Sequence, residues 1–260
     1  MFSNYCKEYE IDDHIRLSII DIENIDQELE IILDENFVSI CEGNSDTPLS
    51  TVKRRVSNLF STKREDWIMG ATAEFFVHLY IRLNGYKQEC LYLNLEENSI
   101  KKGFDGYYSF SGAEWIMESK AGVASSVNGT HSSKVSLAMR DLEKKVSGTD
   151  SQSGNISNNP WQEAYSHASQ VDVGTADSIR KNIKHLANEY TNGKYHLIDE
   201  FNTMPCGTIF LGGTWLQYDH DIMRHNIIDL KSCLKGKNVH VICVTQKSTK
   251  LFQEYILKEE

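Results

Sequence analysis

Apolar positions at Leu49, Val52, Val56, Leu59 and Phe60 fall three and four apart, which is the spacing of one helix face. Thr47 and Pro48 supply an N-cap and a first helical position, so the spacing predicts a helix up to about Ser61. A second helix is predicted from near Asp66 through Trp67, Ala71, Phe75, Leu79 and Leu83, stopping at Asn84-Gly85. The period then drops to two, predicting strands at about 87–95, 100–110 and 113–121. Polar loops rich in Gly, Ser and Asn at 125–133 and 147–159 bracket a helix over 134–146. Helices follow at 161–169, 176–190 and 219–234, with strands at 206–211 and 239–245 and a short terminal helix. Before all of this, short runs of Ile, Leu and Val alternate with acids from Ile11 to Ile40 and read as strands or a small α+β cap. The sum is an α/β fold, a mixed sheet flanked by helices.

Charge divides the chain. Residues 1–48 hold 13 acids against Lys7 and Arg16, a net of -11. From the chain's 37 acids and 27 bases this leaves 24 acids and 25 bases for residues 49–260, a net of +1. We therefore expect an acidic N-terminal cap over 1–48 that docks on a partner, shields a binding groove or merely solubilises, and one domain over 49–260. That domain carries local basic clusters, at Lys53, Arg54 and Arg55 among others. No apolar run approaches the 18 or so residues of a membrane span, and the acidic start does not read as a signal peptide, so a cytoplasmic protein is expected. The six cysteines show no CxxC pair and read as reduced thiols.

Candidate chemistry concentrates between Gly103 and Lys120. With Ser111-Gly112 as a two-residue turn, the stretch folds as a β-hairpin whose paired positions sum to 223, placing Asp105 opposite Glu118. Alternation then collects Phe104, Tyr108, Phe110, Trp115 and Met117 on one face and Asp105, Tyr107, Ser109, Glu114, Ile116, Glu118 and Lys120 on the other. Opposed carboxylates roughly 5 Å apart at Cβ repel unless a cation lies between them, and Mg²⁺ suits such an oxygen pair. Lys120, roughly 7 Å further along the same face, is placed to orient or activate a water and to offset charge developing on phosphorus. The plainer alternative is a solvated sheet face. Glu74 is the only formally charged residue between Gly70 and Ile81, so its carboxylate is expected to be partly buried and to need a partner or a metal.

A helix with Glu74, a strand, Gly-Phe-Asp105-Gly and then Met-Glu118-Ser-Lys120 resembles the PD-(D/E)XK nuclease superfamily over about residues 66–211. The resemblance implies a restriction-endonuclease-like core running α, three strands, α, strand, with helical C-terminal additions. It also implies Mg²⁺ or Mn²⁺ held by Asp105, Glu118 and the Ser119 carbonyl, Glu74 as a direct or water-mediated ligand, and Lys120 serving the attacking water. Phe104 stands where the family has proline. Within the superfamily the chain is similar to the nuclease subunit (HamA type) of Hachiman antiphage systems, which implies DNA as substrate and a helicase as partner.

A stand-alone type II restriction endonuclease and an inactive nuclease fold used for binding DNA or a partner are the alternatives. Lys134 and Arg140 are candidate phosphate contacts, with a solvated helix face the other reading, and Arg180, Lys181, Lys184 and His185 form a further basic cluster. Trp161, Tyr165 and Trp215 are candidates for base stacking or for core. No HExxH, GxSxG, GxGxxG or GxxxxGK[ST] occurs, so metalloprotease, hydrolase, dinucleotide and ATPase chemistry lack their usual signatures.

Overall fold

The computed structural model describes residues 2–93, 103–149 and 159–258. Within them, strands β1 (Cys6–Glu10), β2 (Ile15–Ile22), β3 (Lys87–Gln88), β4 (Gly106–Phe110), β5 (Ala113–Val123), β6 (Asn202–Phe210) and β7 (Val239–Gln246) form one sheet in the order β1-β2-β7-β6-β5-β4-β3. The four central strands β2, β7, β6 and β5 are mutually parallel, while β1 at one edge and the β4 and β3 pair at the other are antiparallel to their neighbours. Parallel neighbours require crossovers, and helices supply them.

Helices α1 (Gln27–Glu42), α2 (Leu49–Ser61), α3 (Glu65–Leu83) and α8 (Lys250–Leu257) bury Leu33, Phe37, Val56, Phe75 and Phe252 against Ile22, Tyr108, Met117 and Val244 on one face. Helices α4 (His131–Ser147), α5 (Pro160–Ala168), α6 (Asp177–Thr191) and α7 (His220–Ile228) cover the other. Both faces are buried, as an α/β sheet demands. No helix among the described residues is long and apolar enough to cross a membrane.

Residues 1–48 are not a separate cap. β2 is a central strand paired along its length with β7, and α1 lies in the same core cluster as α2 and α3. The acids of this segment pair with bases of the rest: Asp34 with Lys53 at 2.9 Å, Glu42 with Arg55 at 2.5 Å, Asp12 with Lys231 at 2.6 Å and Glu30 with Lys258 at 2.7 Å. The charge imbalance along the sequence is thus partly neutralised in space. β2 escapes a simple period-two reading because its polar residues, Arg16 and Ser18 on one face and Asp21 on the other, do not share a side of a strand buried on both faces.

Three further differences have local causes. Strand β6 starts four residues before the expected Cys206, running through Pro205, a residue that ordinarily marks the end of a central strand. The β6–β7 pairing steps from Thr203↔Val239 to Cys206↔Ile242, so the missing proline N–H falls in a break of the ladder. The helix expected over 219–234 ends at Ile228 and is followed by a 3₁₀ turn, Lys231–Cys233. Parts of the strands expected at 87–95 and 100–110, and most of the 147–159 loop, lie outside the described residues.

α4 begins three residues before the expected Lys134. Thr130 caps it by accepting the Ser133 N–H, and His131 in its first turn ties it to the sheet, with Nε2 at 3.1 Å from the Val244 carbonyl oxygen and 3.3 Å from Thr245 Oγ1. Burial pushes the His131 imidazole down to about 4, and the positive end of the helix acts in the same direction. A depressed folded value means stability present above the unfolded value near 6.5 and lost as pH falls from there toward 4. We expect His131→Gln to flatten the acid limb of the stability curve in that window by up to about 3 kcal/mol. Chemical denaturation at pH 7 and pH 4.5 reads this directly, and parallel curves for the two proteins would refute it.

Candidate functional site

The hairpin forms in the expected register. Ser111 and Gly112 take φ of 48° and 80°, the all-positive turn that a two-residue hairpin requires, and the ladder runs from Phe110↔Ala113 to Gly106↔Met117. Gly106 is required here, since a Cβ would lie 2.6 Å from the Tyr108 ring and 2.9 Å from Met117 Cε. The ladder stops at Gly106, and in the next step Asp105 Oδ2 accepts the Ser119 N–H at 2.8 Å. A carboxylate thus takes the place of the Phe104 backbone carbonyl. Because a strand residue's N–H and C=O point the same way, the Ser119 carbonyl faces this same opened edge.

Phe104 itself departs from the expected alternation. It precedes the strand and turns to the Tyr107 and Ile116 side, where its ring meets Trp161 at 4.8 Å. Trp161 is therefore core, and Tyr165 packs against the same cluster.

The face carrying Glu118 and Lys120 is not solvated. α4 lies across it, and Glu118 is 2% exposed. Its Oε1 accepts from Lys120 Nζ at 2.7 Å and its Oε2 from Lys145 Nζ at 2.5 Å, while Lys120 also meets Asp141 at 3.0 Å. Burial, and next the charge of Asp105, push the Glu118 carboxyl above its ordinary range against the pull of Lys145 and Lys120. For both lysines burial acts to lower the value, but the charges of Glu118 and Asp105 outweigh it and hold each ammonium above the ordinary lysine range. Lys120 is thus a donor held between two carboxylates, Glu118 and Asp141.

Spacing on α4 explains the facing set. Lys134, Ala138, Asp141 and Lys145 share one stripe, which runs along the Gly122, Lys120, Glu118 row of β5. A Cβ on Gly122 would lie 2.4 Å from Lys134 Cε, so the glycine leaves room for that lysine beside the site. Arg140 is exposed and off the stripe. Asp141 and Lys145 were missed from the sequence; the i, i+4 acid–base pair seven residues beyond Lys134 is the signal that marks them.

Asp105, Glu118, Ser119 and Lys120 are brought together. Glu74 is 7% exposed on α3, and its carboxylate is met by His78 Nε2 at 3.2 Å, with His78 Nδ1 hydrogen-bonded to the Tyr108 hydroxyl. Its neighbour is thus an imidazole one turn along, and the Glu74–His78–Tyr108 chain fastens α3 to the hairpin from the opposite face. Among the described residues no three Asp, Glu, His or Cys side chains gather as a metal-holding group. The donors that converge are two carboxylates and one strand carbonyl, an all-oxygen set that suits Mg²⁺ or Mn²⁺ completed by water and phosphate oxygens.

The other residues weighed from the sequence lie elsewhere. On α6, Arg180 pairs with Asp177, Lys184 lies over the Tyr165 ring and His185 is 3.5 Å from Glu189. Trp215 lines a polar cavity of about 740 Å³ at the β1 edge, where His220 Nε2 is 2.6 Å from Asp21 Oδ2; none of the acid–lysine set borders it. No family model matches the chain, and no curated protein matches it.

Proposed function

We propose that the chain is a metal-dependent DNA endonuclease of the PD-(D/E)XK type, the effector of an antiviral defence system that works with a helicase. The observation that carries this reading is the buried Glu118 beside Asp105, at the point where the β4–β5 ladder opens, with Lys120 on the same face. Burying one carboxylate beside a second, half-buried one is costly, and such an arrangement is kept where the charges have work to do. The element order α3, β3, β4, β5, α4, β6 also follows the order expected for the superfamily core.

Asp105, Glu118 and the Ser119 carbonyl would hold Mg²⁺ or Mn²⁺, which supplies positive charge to the scissile phosphate. Lys120, pinned between Glu118 and Asp141, would offer its remaining N–H to the attacking water or to charge gathering on the phosphate oxygens. Lys134, further along the same groove, would contact a neighbouring backbone phosphate. The exclusion of bulk water by α4 strengthens each of these interactions.

Incubating the purified protein with supercoiled plasmid and Mg²⁺ tests the proposal. Nicked or linear product that EDTA abolishes is expected, and its absence both with and without an added helicase partner would refute the reading. Plasmids of unrelated sequence, cut equally, separate this function from that of a restriction enzyme.

A further inference from the structure

The two ammonium groups on Glu118 are not equivalent. Lys120 has a second anchor in Asp141 at 3.0 Å, so it stays beside β5 whichever way the glutamate turns. Lys145 has Glu118 as its only hydrogen-bond and ion-pair partner among the described residues, through Oε2 at 2.5 Å. Its side chain is 23% exposed, so it is not sealed beneath α4. The carboxylate oxygens facing the edge are already engaged: Glu118 Oε1 by Lys120, Oε2 by Lys145, and Asp105 Oδ2 by the Ser119 N–H. A divalent cation that binds Glu118 must take or share an oxygen that an ammonium now holds. The weakest-anchored of the three holders is Lys145.

We infer that Lys145 is a displaceable counter-ion. It pairs Glu118 here, yields Oε2 to the divalent cation, and then offers its ammonium to the non-bridging oxygens of the phosphodiester. The inference rests on the nuclease reading of the site and adds a form of restraint to it. Metal must compete with a resident ammonium, and DNA favours metal by giving that ammonium a new partner. By linkage, metal then favours DNA to the same degree. A site built this way stays weakly loaded with metal until a phosphate backbone is present.

The test is Mn²⁺ binding followed by calorimetry in the absence of DNA, on wild type, Lys145→Met and Lys145→Gln. Removing a positive charge beside the cation should tighten Mn²⁺ binding about tenfold or more in Lys145→Met. Lys145→Gln, which keeps a neutral donor for Oε2, should move the same way by less. At saturating Mn²⁺ both variants should cleave plasmid about tenfold more slowly, because the released ammonium is missing from the phosphate. Tighter metal with slower cleavage is a pairing that loss of a purely structural contact does not produce. Should Lys145→Met fail to fold, Lys145→Gln carries the measurement, and Lys145→Arg, which keeps the charge, should bind Mn²⁺ no more tightly than wild type. Folded variants with unchanged or weaker Mn²⁺ affinity overturn the role of Lys145 and leave the nuclease reading intact. Wild-type protein that binds no Mn²⁺ and cuts no DNA overturns both.

Discussion

Asp105→Asn, Glu118→Gln and Lys120→Ala are each expected to lower plasmid cleavage by about a thousandfold or more while leaving the chain folded. Asp105 and Glu118 would hold the metal whose positive charge, like that of Lys120, matters more as the phosphate gains negative charge, and single groups of this kind are worth about 10²–10³ in rate, more when a metal ligand is lost. The substitutions differ in what they leave behind. Asparagine at 105 keeps an oxygen for the Ser119 N–H, so the opened end of the ladder should hold its shape. Glutamine at 118 keeps the shape of a buried side chain but leaves Lys145 without its ion-pair partner, so this variant should melt below wild type while still folding. Alanine at 120 leaves Glu118 with Lys145 and Asp141 with an unmatched charge, and a modest drop in melting temperature is expected. Groups acting as one unit are non-additive, so the Asp105→Asn/Lys120→Ala double variant should be scarcely slower than either single one. Full activity in any folded single variant would sink the assigned site.

How legible the molecule is in its sequence varies with the range of the contact. The hairpin is readable because its register depends on two adjacent turn residues, Ser111 and Gly112, and on alternation within a few positions. α2 and α3 are readable because their apolar stripes bury against a core without help from unusual residues. What escapes is whatever depends on a partner far along the chain. Lys145 meets Glu118 across 27 positions, and the local i, i+4 pair with Asp141 marks Lys145 without saying which strand residue it meets. Glu74 reads as a ligand in search of a metal because a histidine counted as neutral, His78, is its actual neighbour one turn on. Phe104 fails the alternation rule because the strand has ended by Gly106, which is also what frees the Ser119 edge for chemistry. The site sits where the regular pattern breaks, so a rule of regularity describes its surroundings better than the site itself.

Deleting residues 1–44 is expected to unfold the chain rather than release a detachable cap. Leu17, Ile19, Ile20, Ile22, Leu29, Leu33, Phe37 and Ile40 are each no more than 1% exposed, and even at about 1.5 kcal/mol for each buried side chain their loss rivals the roughly 5–15 kcal/mol by which a domain is stable at all. The damage would not stop at area. β7, buried along its whole length and apolar over Val241–Val244, would become an exposed edge strand, a template for aggregation. Lys53, 5% exposed, would lose Asp34 and stand as an uncompensated charge against the Tyr255 ring, since both its neighbours there, the aspartate and the tyrosine hydroxyl bonded to it, depend on α1. The truncated chain should therefore be insoluble or show no cooperative thermal transition by circular dichroism. A soluble truncation melting near the full-length protein would contradict the continuous sheet. The role of the acidic surface in docking is better asked with Glu10→Lys, Asp13→Lys and Glu23→Lys, which lie at exposed positions. Changes there leave the core untouched, so loss of binding to the proposed helicase in a variant that melts like wild type would report on the surface alone.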